Sequence, residues 1–284
     1  MRIEVKDLDH IYNAGLAYET YALKHVSLTL DRGELVCLIG HTGSGKTTLV
    51  QHLNGLLKPD KGQVLADGVD INEKSPEARA LRRKIGLVFQ YPEYQLFEET
   101  VFKDVCFGPK NMGLSEEECA KKANDSLKLV GMDPDEVGDK SPFALSGGQK
   151  RRVAIAGILA MDPEVLILDE PAAGLDPAGK KAILSCIKGI KEERNICILL
   201  ISHNMEDVAE IADRVLVMDK GSLVLDGPPG EVFARRQALR DMGLAAPPAA
   251  RFMEMVAAGG GPVSANVLTL DDAAREIIRV YGKR

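Results

Sequence analysis

Residues 40 to 47 read Gly40-His41-Thr42-Gly43-Ser44-Gly45-Lys46-Thr47. A glycine, four free positions, a second glycine, a lysine and a hydroxyl residue make a loop that wraps phosphates. The glycines let the backbone turn its N–H groups inward, Lys46 is placed to reach the β- and γ-phosphates, and the Thr47 hydroxyl to ligand Mg²⁺, with Thr48 next to it counted among the nucleotide-binding residues. Just upstream, Leu35-Val36-Cys37-Leu38-Ile39 is an unbroken apolar run closed by Gly40, as a buried parallel strand requires. Downstream, a helix is predicted from Gly45 to about Leu57, its positive N-terminal end facing the phosphates. A chance glycine turn would fit this pattern in about one chain in a hundred of this length at average glycine usage. The strand–loop–helix context makes chance rarer still.

Outward from this loop, short apolar runs alternate with helical spacing. Ile3, Val5 and Leu8, then Val26, Leu28 and Leu30, alternate as strands do. Gly62 to Asp70 reads as a hairpin in an antiparallel region, and Ile85 to Phe89 as a short buried strand. Glu116 to Val130 is helical, with Cys119, Ala123, Leu127 and Val130 on one side. A further helix starts at Ser146. Strands over Val165–Leu168 and Cys197–Ile201 flank a helix from about Pro177 to Glu193, and Arg214–Asp219 and Gly221–Leu225 finish the core. Strand, glycine turn and helix in succession imply a parallel sheet wrapped by helices. After Gly227 the chain turns rich in Ala, Pro and Gly; there Thr269 with Asp272 resembles a capping box, with Ala273, Ile277 and Tyr281 following on one face.

Several further segments carry chemistry. The run Val165 to Leu168 stops on Asp169 and Glu170, which points to a site at the carboxyl end of a parallel sheet. Asp169 suits Mg²⁺, through water, and Glu170 suits a residue that orients or deprotonates an attacking water; alone, the pair could equally cap the next loop. Leu145-Ser146-Gly147-Gly148-Gln149 opens a helix with a good N-cap and a bare backbone, a second anion-binding device. Two such devices with one complete phosphate loop suggest a site built from two chains. Gln90, after its strand, fits a contact to Mg²⁺ or water, or a surface glutamine. His203 fits a contact to the γ-phosphate, or a structural histidine. Tyr12, read in a loop between the first strands, offers an aromatic face to adenine, or is a surface tyrosine.

The 284 residues are 45% hydrophobic and 27% charged, an ordinary globular composition. With 36 Lys and Arg against 42 Asp and Glu, net charge −6, nucleic acid is not an expected partner. Five scattered cysteines without a CxxC read as reduced thiols. Met1-Arg2-Ile3-Glu4-Val5-Lys6 carries no secretory apolar stretch, and Val165–Leu168 and Ile196–Ile201 are too short to span a bilayer. Any membrane role must come through a partner.

Taken together, these motifs resemble those of ATP-binding-cassette nucleotide-binding domains, over about residues 1 to 230. In family terms the Walker A loop is Gly40–Thr47, the Q-loop residue Gln90, and the signature Leu145–Gln149; Walker B ends at Asp169 with Glu170 next, the D-loop is Ala173-Gly174-Leu175-Asp176, and the switch histidine is His203. The resemblance implies an α/β P-loop nucleoside triphosphatase fold: a mostly parallel sheet wrapped by helices, an antiparallel β subdomain, a helical signature subdomain over about residues 91–162, and a small C-terminal α/β appendage over 231–284. It implies ATP and Mg²⁺ as ligands, Asp176 and His41 among the nucleotide-binding residues, and a head-to-tail dimer in which Ser146, Gly147, Gly148 and Gln149 act on the other subunit's nucleotide.

More narrowly, the chain is similar to the ATPases of energy-coupling factor transporters. Gln90-Tyr91-Pro92-Glu93-Tyr94-Gln95-Leu96-Phe97 with Phe107-Gly108-Pro109, and Gln149 through Gly157, carry this likeness, as does the appendage, which in that group helps hold two ATPases together. Asn13 to Thr20 leans toward one of two paired paralogues. Ala172 departs from the commoner threonine. The implied role is an ATPase, peripheral at the cytoplasmic face of the cell membrane, paired with an identical or paralogous ATPase. A transmembrane coupling subunit and a substrate-binding membrane subunit would complete the importer of a vitamin or transition metal. The rivals are the ATPase of another importer class and a soluble non-transport cassette ATPase, which would usually carry a coiled-coil insertion or a second cassette. A sensor without turnover would be expected to lack Glu170 or His203.

Overall fold

The computed structural model describes residues 1–264 and 266–282. In chain order β1 (Ile3–Tyr12), β2 (Thr20–Leu30), β3 (Leu35–Ile39) and α1 (Lys46–Leu53) are followed by β4 (Lys61–Ala66), β5 (Val69–Asp70), α2 (Pro76–Arg83) and β6 (Ile85–Val88). A helical stretch comes next: α3 (Val101–Asn111), α4 (Glu116–Leu129), α5 (Pro134–Val137) and α6 (Gly147–Leu159). Then come β7 (Val165–Asp169), α7 (Pro177–Arg194), β8 (Cys197–Ile201), α8 (Met205–Ile211), β9 (Arg214–Asp219) and β10 (Ser222–Gly227). The chain ends in α9 (Pro229–Ala234), α10 (Arg236–Asp241), α11 (Pro248–Ala258) and α12 (Leu270–Tyr281).

Two sheets form. The first is antiparallel, in the order β2-β1-β4-β5; the second runs β10-β9-β3-β8-β7-β6, parallel except at the β10–β9 edge. In β3, Leu35, Cys37 and Ile39 face the helical side, while Val36 and Leu38 face α1 and the antiparallel sheet. β7 and β8 divide in the same way. Burial on both faces removes the need for polar alternation, and that is why these strands read as unbroken apolar runs. Because β6, β7, β8 and β3 are parallel, Val88, Asp169, Ile201 and Ile39 all end at one edge, and that edge holds the site.

The structure differs from expectation in four places. The helix after the phosphate loop stops at Leu53, because Asn54 caps it and Gly55 turns the chain at φ +76°. Tyr12 is the last residue of β1, paired with Thr20, and lies in no loop. α2, α3, α5 and α8 were not anticipated as individual helices. The appendage, expected to be α/β, carries only helices among the described residues; residues 265, 283 and 284 of it lie outside them. Its Ala-rich segments lack the β-branched alternation a strand would need. Its own core is small, Ala249, Met253, Val267 and Ala273, and it leans on the cassette where α11 meets α8.

Cys37, Cys119 and Cys197 are buried and Cys106 and Cys186 half-buried, all as free thiols. Burial pushes the Cys197 thiol up to about 12, so it is unreactive packing.

Candidate functional site

The loop after β3 takes its shape from two glycines. A Cβ on Gly40 would sit 2.4 Å from the Met218 carbonyl oxygen and 2.6 Å from Ser44 Oγ, and one on Gly45 would sit 2.5 Å from the Ala22 carbonyl oxygen. Gly45 also holds φ +102° at the N-cap of α1, where no side chain caps the helix. The first N–H groups of α1 are thus left for a ligand. Lys46, only 6% exposed, donates to the carbonyls of Gly40 (2.8 Å) and His41 (2.9 Å). Burial lowers its pKa, and the charges of Glu170 and Asp169 work against that. His41 is pinned by Asp219 at 2.9 Å, and Ser44 is fully buried behind the loop.

The facing wall comes from the other strand ends. Asp169, last residue of β7, is 8% exposed. Burial, helped by the charge of Glu170 and opposed by Lys46, pushes its carboxyl up to about 6. Glu170 sits at φ +49°, its N–H donating to the Ile201 carbonyl at 3.1 Å. His203 follows β8, and its Nε2 lies 2.8 Å from Glu170 Oε1. Exposed Gln90 follows β6.

These groups converge. One cavity of ≈ 600 Å³ is lined by Thr42, Gly43, Gly45, Lys46, Thr47 and Thr48, by Gln90, Asp169, Glu170 and His203, and by Tyr12. Tyr12 reaches it from β1, with its hydroxyl 3.3 Å from Thr48 Oγ1 and its ring edge-on to His10 at 4.6 Å. Thr20, Tyr21 and Ala22, from the start of β2, complete the wall. No motif pointed to them, because they serve through position. Thr47, Gln90 and Asp169, which line one cavity, carry a hydroxyl, an amide oxygen and a carboxylate. This hard-oxygen donor set fits Mg²⁺, which keeps room for water and phosphate oxygens. A second cavity of ≈ 430 Å³ shares Glu170 and His203 with the first and is floored by the Lys180–Asp207 ion pair at 2.6 Å.

Ser146, Gly147, Gly148, Gln149 and Asp176 line neither cavity. Ser146 is the N-cap of α6 in a reciprocal box: Gln149 N–H donates to its Oγ at 3.3 Å, and its own N–H donates to Gln149 Oε1 at 2.9 Å. A Cβ on Gly147 would meet nothing within 4 Å. Asp176 caps α7, accepting from the Gly179 N–H at 2.7 Å. Within one chain, the phosphate-loop cavity and the Ser146–Gln149 helix start stay apart.

An ABC transporter family model matches residues 23–173. An energy-coupling factor transporter ATP-binding protein EcfA2 of Clostridium tetani is 51% identical over all of this chain and 99% of its own length. One from Caldanaerobacter subterraneus is 52% identical over 98% of this chain and 97% of its own. Among solved structures, cbiO1 of Clostridium perfringens, part of the ABC transporter complex cbiONQ, is 42% identical with a TM-score of 0.75, covering 84% of this chain and 93% of that one. A dimeric ATP-binding cassette in a post-hydrolysis state, bound to ADP and Pi, is 30% identical with a TM-score of 0.70, covering 80% and 98%. The chain belongs to the ABC transporter family, in the group of energy-coupling factor transporter ATP-binding proteins.

Proposed function

We propose that this chain is the ATP-hydrolysing subunit of an energy-coupling factor importer of a vitamin or transition metal, and that it works as half of a head-to-tail ATPase pair. The observation that carries this reading is the split just described: Lys46, Asp169, Glu170 and His203 share one cavity, while Ser146 and its glycines stand elsewhere. A signature outside its own chain's cavity is free to cover a neighbour's.

ATP enters with its triphosphate on the loop, where Lys46 exchanges the Gly40 and His41 carbonyls for phosphate oxygens. Tyr12, at the cavity rim, stacks on adenine. Mg²⁺, held by Thr47, Gln90 and Asp169, would neutralise phosphate charge. Glu170 takes the proton of the attacking water, and His203, whose Nε2 lies 2.8 Å from Glu170 Oε1, keeps the carboxylate aimed. ATP favours the closed pair because the signature contacts the phosphates only there. Hydrolysis removes that preference.

No helix among the described residues is long and apolar enough to cross a membrane. The transmembrane partner therefore needs a seat on the surface. A groove of ≈ 550 Å³ beside Gln90's strand offers one, lined by Leu87, Phe89, Leu96, Phe97, Phe107 and Met112, with Phe97 and Phe107 edge-on at 4.8 Å. Gly157 also lines it, and a Cβ there would meet nothing, so a larger side chain would project into the groove. Residues 1–230 form the cassette. The appendage, which leaves Met255 and Ile278 mostly exposed, helps hold the two ATPases together.

The test mixes two defects in trans. Where this chain pairs with itself, Ser146→Arg subunits and Lys46→Ala subunits are each inactive, and their mixture has one site with both defects and one with neither. Turnover in the mixture above that of either variant supports the shared seam. A mixture no better than its parts sinks it. Where the pairing is with a paralogue, the same substitutions are placed one in each subunit.

A further inference from the structure

One buried cation lies outside both cavities yet touches both of the loops that carry reacting-side residues. Arg151, fifth residue of α6, is 2% exposed. Its Nε and Nη2 donate to the two oxygens of Glu93, at 3.0 and 3.2 Å, and its Nη1 donates to the Pro171 carbonyl at 2.8 Å. Its guanidinium carbon lies 5.7 Å from the centre of the Tyr91 ring. Glu93 and Tyr91 belong to the segment that leaves Gln90, and Pro171 directly follows Glu170. The same helix begins at Ser146.

We infer that Arg151 is a positioning residue, a strut that fixes Gln90 and Glu170 relative to the signature helix; the inference rests on the proposed ATPase reading. Two observations support it. Tyr91 at φ +58° and Glu170 at φ +49° are non-glycine residues in the left-handed region. Such conformations persist only where the surroundings over-determine them, and Arg151 makes its contacts immediately beside both. The chemistry is also specific to arginine. A planar fork sends two parallel donors to one carboxylate and a third to a carbonyl in another direction, which an ammonium on a flexible stem does not reproduce. Burial works to raise the pKa of Glu93, but its hydrogen bonds from Arg151 and the backbone, with the Arg151 and Lys150 charges, leave it lowered. The pair is therefore ionised at neutral pH.

A buried ion pair can be merely structural, so the test separates stability from turnover. In the full complex with its partner subunits, Arg151→Met is expected to lower kcat by about tenfold or more, since misplacing reacting groups by an ångström is that costly. KM and Kd for ATP should stay within about twofold. Arg151→Lys should follow Arg151→Met. Arg151→Met also leaves the half-buried Glu93 unpaired, lowering Tm; adding Glu93→Met removes the orphaned charge and should recover about half or more of that loss. The strut predicts that kcat stays low in the stabilised double variant. Recovery of kcat along with Tm, or a wild-type kcat in Arg151→Met, overturns the inference. Lys46→Ala in the same preparation keeps the two failures apart: retained ATP binding there defeats the ATPase reading, while lost binding there with normal turnover in Arg151→Met defeats only the strut.

Discussion

Asp176 separates a helix cap from a nucleotide ligand by a single substitution. Its Oδ1 accepts from the Gly179 N–H at 2.7 Å, with Pro177 in the first helical position of α7. Losing an N-cap costs about 1 kcal/mol, and losing a negative charge at a helix N-terminus about 0.3–1 kcal/mol more. Asp176→Ala should therefore destabilise the chain by about 1–2 kcal/mol, which is a fall in Tm of about 2–8 °C at about 2–4 °C per kcal/mol. Asp176→Asn keeps an oxygen that can accept from Gly179 and loses only the charge, so its deficit should be about 0.3–1 kcal/mol. Thermal unfolding of the nucleotide-free variants reads these differences, and ATP turnover of the assembled complex reads the second quantity. If the carboxylate serves the helix, turnover tracks stability, and Asn restores both. A variant with Asn-level stability but turnover at least about tenfold down would refute this account, and would show that the Asp176 charge acts across the seam.

Glu170→Gln should spare ATP binding and cut turnover at least about 10²-fold, the lower end for general-base work; near-normal hydrolysis would remove Glu170 from the role. Gly45→Ala should cost about 1–3 kcal/mol of stability through left-handed strain alone, with more from a Cβ 2.5 Å from the Ala22 carbonyl, and it should weaken ATP binding. Unchanged denaturant midpoint and affinity would contradict the loop geometry. The Glu93 carboxyl titrates below its ordinary 4.5 in the folded chain, so the stability it draws from Arg151 is complete above about pH 4.5 and is lost as pH falls through the folded value. The stability gap between wild type and Glu93→Gln should close over that acid range, and a constant gap down to acid unfolding would count against the ion pair.

The sheet and the phosphate loop were legible because burial on both faces and glycine-only geometry leave marks in local sequence. Val165–Asp169 and Cys197–Ile201 could be nothing but buried strands, and Ser146 and Thr269 announced their helices by capping chemistry. α3 is hard to see in the sequence because Gly108 and Pro109 are poor helix formers; they sit in the last turn of the helix, where Pro109 is buried and the preceding turns are already formed. Tyr12 was misplaced because strand pairing carries β1 to Thr20 through three irregularities of register, and irregular ladders blur alternation. Lys150-Arg151-Arg152 looks like a solvated basic run, and spacing alone does not mark its middle residue. Only packing against Glu93, Pro171 and Tyr91 distinguishes Arg151 from its neighbours.

Both halves of the proposed seam are held in place by contacts within their own chain. Lys46 is held at the loop by two carbonyls, and Ser146 is locked to Gln149 by a complete capping box. A preformed half-site spends little ligand-binding free energy on ordering itself. In a pair of such chains, ATP binding has neither loop nor helix to build, so most of its differential contact energy goes into the one event that separates closed from open: bringing a neighbour's Gly147 and Gly148 onto the phosphates. That allocation is what a motor needs. A signature that became ordered only on contact would lose part of the stroke to its own folding.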